Sequence, residues 1–140
     1  MTLEELLAAF ETGAVPLDHW DHAAHLRVAA WAVTHVDDPL PWMRTRLHRL
    51  LDHHGIETTR ESGYHETLTA AWLRLVAWQL GRDPSVEVLR EVFSDKRHLL
   101  RYWSRDLMMS SAAREGWVAP DLGPLPDDLD SQPGPTPQSS

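Results

Sequence analysis

Asp18-His19-Trp20-Asp21-His22-Ala23-Ala24-His25 leads directly into Leu26-Arg27-Val28-Ala29-Ala30-Trp31-Ala32-Val33-Thr34-His35. Leu26, Ala29, Val33 and Val36 recur at spacings of three and four, the period of an α-helix with one buried stripe. A helix is therefore expected from about Asp21 to His35. His22 lies one turn before Leu26, and His25 one turn before Ala29, so both extend the stripe toward the helix N-terminus.

The segments on either side repeat this pattern. Upstream, Thr2 and Glu5 form a capping-box pair, Leu3, Leu6, Leu7 and Phe10 follow at helical spacing, and Gly13 stops that helix. Val15-Pro16-Leu17 reads as an extended connector. Downstream, Asp37-Asp38-Pro39 ends the second helix and starts a third, with Leu40, Met43, Leu47 and Leu50 on one side and Gly55 at its end. Residues 55–63 read as a polar loop. A fourth helix is expected from about Tyr64 to Leu80, burying Leu68, Trp72, Leu75 and Val76 and ending at Gly81. Asp83-Pro84 starts a fifth through Phe93, Ser94 caps a sixth from Asp95 to about Arg105, and a last short helix covers Asp106 to Glu115.

From Val118 the composition changes, and six of the ten prolines lie between Pro120 and Pro137. Residues 1–126 are expected to form the domain, with Pro120 to Pro126 extended over the body. Residues 127–140 are expected to be a tail, disordered after about Leu129. No internal repeat and no alternating β pattern is present. The sequence reads as an all-α, single-domain bundle of about five to seven helices.

The net charge is -8, and Asp121, Asp127, Asp128 and Asp130 supply half of it with no Lys or Arg after Arg114. That balance argues against a general nucleic-acid binder. No apolar run approaches the ~18 residues of a membrane span. The acidic start Met1-Thr2-Leu3-Glu4-Glu5 is unlike a signal peptide, so cytoplasm is the expected compartment. With no cysteine in the chain, a metal would have to be held by His, Asp or Glu.

Nine histidines are many for this length. His22 and His25, three apart, share a helix face and can chelate a divalent ion. His19 and Asp18 precede the helix and can cap it or join the metal shell, and Asp18 or Asp21 can orient an imidazole from behind. His65, in Tyr64-His65-Glu66-Thr67-Leu68-Thr69, starts another helix one turn before Leu68 and Thr69. A helix N-terminus disfavours imidazolium, so His65 should stay neutral, as a ligand must. His22, His25 and His65 are thus the expected ligands of zinc, iron or manganese, with an open coordination position. Glu66 is a candidate extra ligand or general base, and Tyr64 a proton-handling partner. The competing reading is that these histidines cap helices or hydrogen-bond inside the core. His53 and His54, like His35, sit in a last helical turn, where the dipole favours imidazolium, His48 reads as lying on a solvated face, and His98 belongs to a basic cluster, Lys96 to Arg101. Ser110 and Arg114 are four apart on one helical face. Arg114 can grip a carboxylate or phosphate through its planar fork, or tie the C-terminal segment down by a salt bridge.

The motifs Trp20-Asp21-His22-Ala23-Ala24-His25-Leu26, Tyr64-His65-Glu66-Thr67-Leu68-Thr69, Ser110 to Arg114 and Pro120-Asp121-Leu122-Gly123-Pro124-Leu125-Pro126 resemble those of a family of small all-helical bacterial proteins of unassigned function. The resemblance covers about residues 10 to 126. It implies that His22, His25, His65, Glu66 and Arg114 belong together and that Pro120 to Pro126 is part of the domain. The functional expectation is a small metal-dependent enzyme acting on a small anionic substrate. Hydrolysis comes first, with oxygen activation or lyase chemistry beside it. The alternatives are a helical accessory protein with structural histidines, and a metal-free acid-base enzyme using His65 and Glu66.

Overall fold

Thr2 and Glu5 form the expected reciprocal cap. Thr2 Oγ1 accepts from the Glu5 N–H at 3.1 Å, and Glu5 Oε1 accepts from the Thr2 N–H at 3.0 Å. Helix α1 (Leu3–Thr12) follows in the computed structural model, which describes residues 1–59 and 62–131. Gly13 ends α1 at φ 82°, where a Cβ would lie 2.3 Å from the Arg49 carbonyl oxygen. Only glycine lets α1 approach α3 (Pro39–His53) this closely.

Helix α2 (His22–His35) is capped by Asp21, whose carboxylate accepts from the Ala24 N–H at 2.8 Å. Leu26 and Ala29 are buried as expected, but so are Ala24, Val28, Ala30 and Ala32. The buried surface is wider than one stripe because α2 is central: α1, α3, α4 (Glu66–Arg82) and α5 (Val86–Val92) all pack on it. The α2–α4 pair forms the middle of the bundle, closed by Phe10, Trp72, Leu75, Val76 and Phe93.

Later elements depart from the sequence reading. Gly81 lies inside α4, which runs to Arg82, and open space surrounds it. In place of a sixth helix from Asp95, there is a single 3-10 turn over His98–Arg101. The Asp95 carboxylate accepts from the Arg97 N–H at 2.9 Å, a local bond that competes with helix propagation. The expected helix from Asp106 to Glu115 is two: α6 (Arg105–Met108) and α7 (Ser111–Glu115). Ser104 and Ser110 each act as an N-cap, so the chain restarts a helix at each serine.

The segment after α7 lies on the body. Trp103, fully buried, donates from Nε1 to the Val118 carbonyl at 3.0 Å. The Leu122 N–H donates to the Tyr102 carbonyl at 2.9 Å, and Leu125 is fully buried. The proposed boundary at residue 126 falls at the start of a helix, α8 (Pro126–Ser131). Arg74 holds it through Asp127 and Asp128, with three contacts of 2.8 Å. The expectation for the remainder of the tail falls on residues 132–140, outside the described residues. Among the described residues there are eight α-helices and no strand, and no helix is long and apolar enough to cross a membrane.

Candidate functional site

The start of α4 gathers most of the polar side chains singled out above, but not as a metal centre. His65 is the N-cap of α4: its Nδ1 accepts from the Leu68 N–H at 3.0 Å. The ring proton is therefore on Nε2, which donates to the Met108 carbonyl at 2.6 Å. Both nitrogens are occupied, so no lone pair remains for a metal. Burial, with the Arg114 charge adding to it, pushes the His65 imidazole below its ordinary range.

The other two expected ligands diverge. His22 donates from Nε2 to the Phe93 carbonyl at 2.7 Å, stands edge-on to Trp72, and opens onto Arg90 and Glu91. His25 turns the other way, against the Trp20 ring at 5.5 Å, into a cavity that it shares with His65. Burial, reinforced by the charge of His22, pushes the His25 imidazole down to about 4. Among the described residues, no group of three or more His, Cys, Asp or Glu side chains is arranged to hold a metal ion. The stripe argument placed His22 and His25 on one face. Residues three apart also differ in azimuth by about 60°, given ~3.6 residues per turn. That difference sends one ring to α5 and the other toward α3 and α4.

Tyr64 and Glu66 do come together. The Tyr64 hydroxyl donates to Glu66 Oε1 at 2.5 Å, and Arg44 on α3 grips the same carboxylate with Nε–Oε1 3.0 Å and Nη2–Oε2 2.5 Å. The Arg44 side chain is 40% exposed and that of Glu66 14%, so the pair sits at a cavity wall and not in the core. Hydrogen bonding to Arg44 holds the Glu66 carboxyl below its usual range. Burial, with the hydrogen bond to Glu66, drives the Tyr64 phenol up. An ionised, three-bonded carboxylate and a proton-retaining phenol suit a fixed wall better than a proton shuttle at neutral pH. Tyr64 is set in place by the turn before it. Its N–H donates to Thr58 Oγ1 at 3.1 Å, and Gly63, at φ 96°, passes so close to Thr58 that a Cβ would lie 2.5 Å from its Cα.

Arg114, on α7, completes this wall. Its Nη1 donates to the Tyr64 carbonyl at 3.1 Å and, more weakly, to that of Gly63 at 3.5 Å. Thr67 holds α7 against α4, donating to the Gly116 carbonyl at 2.7 Å and accepting from the Val118 N–H at 3.1 Å. The Arg114 Nε is buried with no hydrogen-bond partner, the one such side-chain atom among the described residues. Leaving a buried donor unmet costs roughly 1–3 kcal/mol, more for a charged group.

Ser110, expected beside Arg114 as a substrate contact, is instead a cap. Its Oγ accepts from the Ala113 N–H at 3.1 Å and donates to the Leu107 carbonyl at 2.6 Å, which uses up its proton. Its neighbour Ser111 lines the cavity instead.

Tyr64 and Arg114 line both of two neighbouring cavities. The outer one, about 710 Å³, is bounded by the charged and polar residues Arg44, His48, Glu66, Ser111 and Glu115. The inner one, about 350 Å³, is bounded by Trp20, Leu47, Leu50, Leu51, Ile56 and Leu68, with His25 and His65 on its wall. Arg44, His48, Ser111 and Glu115 were not singled out from the sequence. Arg44 and His48 are four apart on α3, which does place them on one face. His48 is exposed, and its ring rests 4.5 Å from that of Tyr64.

No protein-family model, no curated protein and no solved structure matches this chain. The family resemblance drawn from the motifs therefore rests on the sequence alone.

Proposed function

We propose that the protein binds a small carboxylate at the junction of the two cavities, with Arg114 as the anchoring cation. The observation that carries this reading is Arg114, which lines both cavities beside a wall organised by Tyr64, Glu66 and Arg44 and whose Nε has no hydrogen-bond partner, so that a small rotation of the side chain would turn an unspent donor to a ligand. A guanidinium meets a carboxylate in a planar, charge-assisted contact. The Tyr64 oxygen, whose proton goes to Glu66, keeps lone pairs to accept from a ligand hydroxyl or amide.

Charge favours a monoanion over a dianion. Arg44 is neutralised by Glu66, and Glu115 lies on the same cavity, so Arg114 faces the ligand with little further positive support. Function as a binding protein fits the pKa directions of Tyr64 and Glu66, which both oppose proton transfer near neutrality. The metal-dependent enzyme expected from the histidines loses its support once His65 uses both nitrogens.

Saturation-transfer NMR on acetate, benzoate and inorganic phosphate, with wild type and Arg114→Gln, tests the reading. Carboxylate signals that saturate with wild type and vanish with the variant are expected, with phosphate weaker. Equal signals from wild type and a folded Arg114→Gln would overturn it.

A further inference from the structure

We infer that the ligand is an amphipathic monocarboxylate, whose carboxylate meets Arg114 while its apolar body fills the inner cavity between Trp20, Leu47, Leu50, Ile56 and Leu68. This inference rests on the carboxylate reading above and names the rest of the molecule. The two cavities share Tyr64 and Arg114, so a group held by Arg114 borders both. Their walls differ in charge. The outer cavity carries two carboxylates and two arginines; the inner one carries no carboxylate and only one permanently charged side chain, Arg114 itself. A carboxylate bound at the junction would therefore be repelled by no acidic group on the inner side, and its apolar tail would find a matching wall there.

The two histidines on the inner wall do not spoil this match. His65 has spent both nitrogens, and burial keeps His25 neutral at physiological pH. The His25 ring packs on Trp20 and makes no hydrogen bond among the described contacts, so a ligand body meets an uncharged imidazole there. At about 350 Å³ the space is at the small end for ligand pockets, which run from ~300 to ~1,000 Å³, and it suits a short alkyl or single-ring body. An extended lipid would not fit.

The experiment is a calorimetric series of acetate, butanoate, hexanoate and octanoate on the full chain, with hexan-1-ol as the uncharged counterpart. Each methylene entering an apolar cavity contributes ~0.8 kcal/mol, a tightening of about fourfold. Affinity should rise about fourfold per methylene and level off once the cavity is full, and hexanoate should bind at least about tenfold tighter than hexan-1-ol. Ile56→Trp, which fills the cavity, should weaken octanoate while sparing acetate. If acetate binds through Arg114 but affinity is flat across the series, the inference is overturned and the carboxylate reading stands. If no acid in the series binds, both fail. If Ile56→Trp does not fold, the wild-type series still decides.

Discussion

Arg114 donates to the main-chain carbonyl of Tyr64 at 3.1 Å, across 50 residues of sequence. Two segments with no shared periodicity are fastened at that bond, the loop entering α4 and the short helix α7. It also fixes the guanidinium so that its Nε stays buried and unmatched. Arg114→Ala should cost about 1–3 kcal/mol in urea unfolding, since two carbonyl contacts are lost. Arg114→Lys should keep more stability but lose carboxylate binding, because an ammonium lacks the planar fork. Equal stability losses with binding retained in Arg114→Lys would argue for a purely structural arginine.

His65 joins the first turn of α4 to Met108. His65→Ala removes the N-cap, worth about 1 kcal/mol, and leaves the Met108 carbonyl without its donor, for a total of roughly 2–3 kcal/mol. His65→Asn can restore the cap without reaching Met108 and should recover about 1 kcal/mol. Thermal melts with and without added zinc bear on the same point. No zinc-dependent rise in melting temperature is expected, and a rise that disappears in His65→Ala would show ligation.

Acid should destabilise the fold through His25 before the carboxylates titrate. Its folded-state pKa of about 4 lies below the unfolded value near ~6.5, so the unfolded chain binds the proton first. The contribution is fully present above pH ~6.5 and is lost as pH falls toward about 4. Between pH 7 and 5 the loss should be roughly 2 kcal/mol, and His25→Phe should flatten the curve in that window. His65, whose pKa is also lowered, adds in the same direction. A wild-type stability that is level from pH 7 to 5 would show that His25 is not held neutral.

The C-terminal helix α8 should depend on Arg74. A double-mutant cycle of Arg74→Ala and Asp127→Ala should give a coupling of about 0.5–1 kcal/mol, since both side chains are about one-third exposed, and it should shrink in high salt. A coupling near zero would mean that the Arg74–Asp127 pair contributes nothing measurable to holding α8.

Much of the fold is legible in the sequence because its first four helices are local. Thr2 with Glu5 and Pro39 at the third helix start announce two of the helix starts, and the apolar spacing announces the buried face, whereas the cap of α2 is Asp21 and not Asp18 or His19. After Asp83 the elements are short, and serine caps decide them. Ser104 and Ser110 mark two helix starts where the apolar pattern suggested one continuous helix. The site was half legible. The resemblance implies that His22, His25, His65, Glu66 and Arg114 belong together; Glu66 and Arg114 line one cavity with Tyr64, His25 and His65 line another with Arg114, and His22 lies apart. Arg44 was missed because its bond to Glu66 spans 22 residues and leaves no periodic trace. The histidine trio was over-read: an inward direction does not say which inner surface a ring reaches, and His65 satisfies itself on the main chain.

The most direct test of the central claim is the Nε–H resonance of Arg114 in a proton–nitrogen NMR spectrum, assigned by its loss in Arg114→Lys and followed during titration with hexanoate. Arg44, Arg46 and Arg74 already give their Nε–H to carboxylates and serve as internal references. The account predicts a saturable shift and slowed solvent exchange at Arg114, with the three references still. An Arg114 signal that stays unmoved at high hexanoate, or moves no more than that of Arg46, would contradict it.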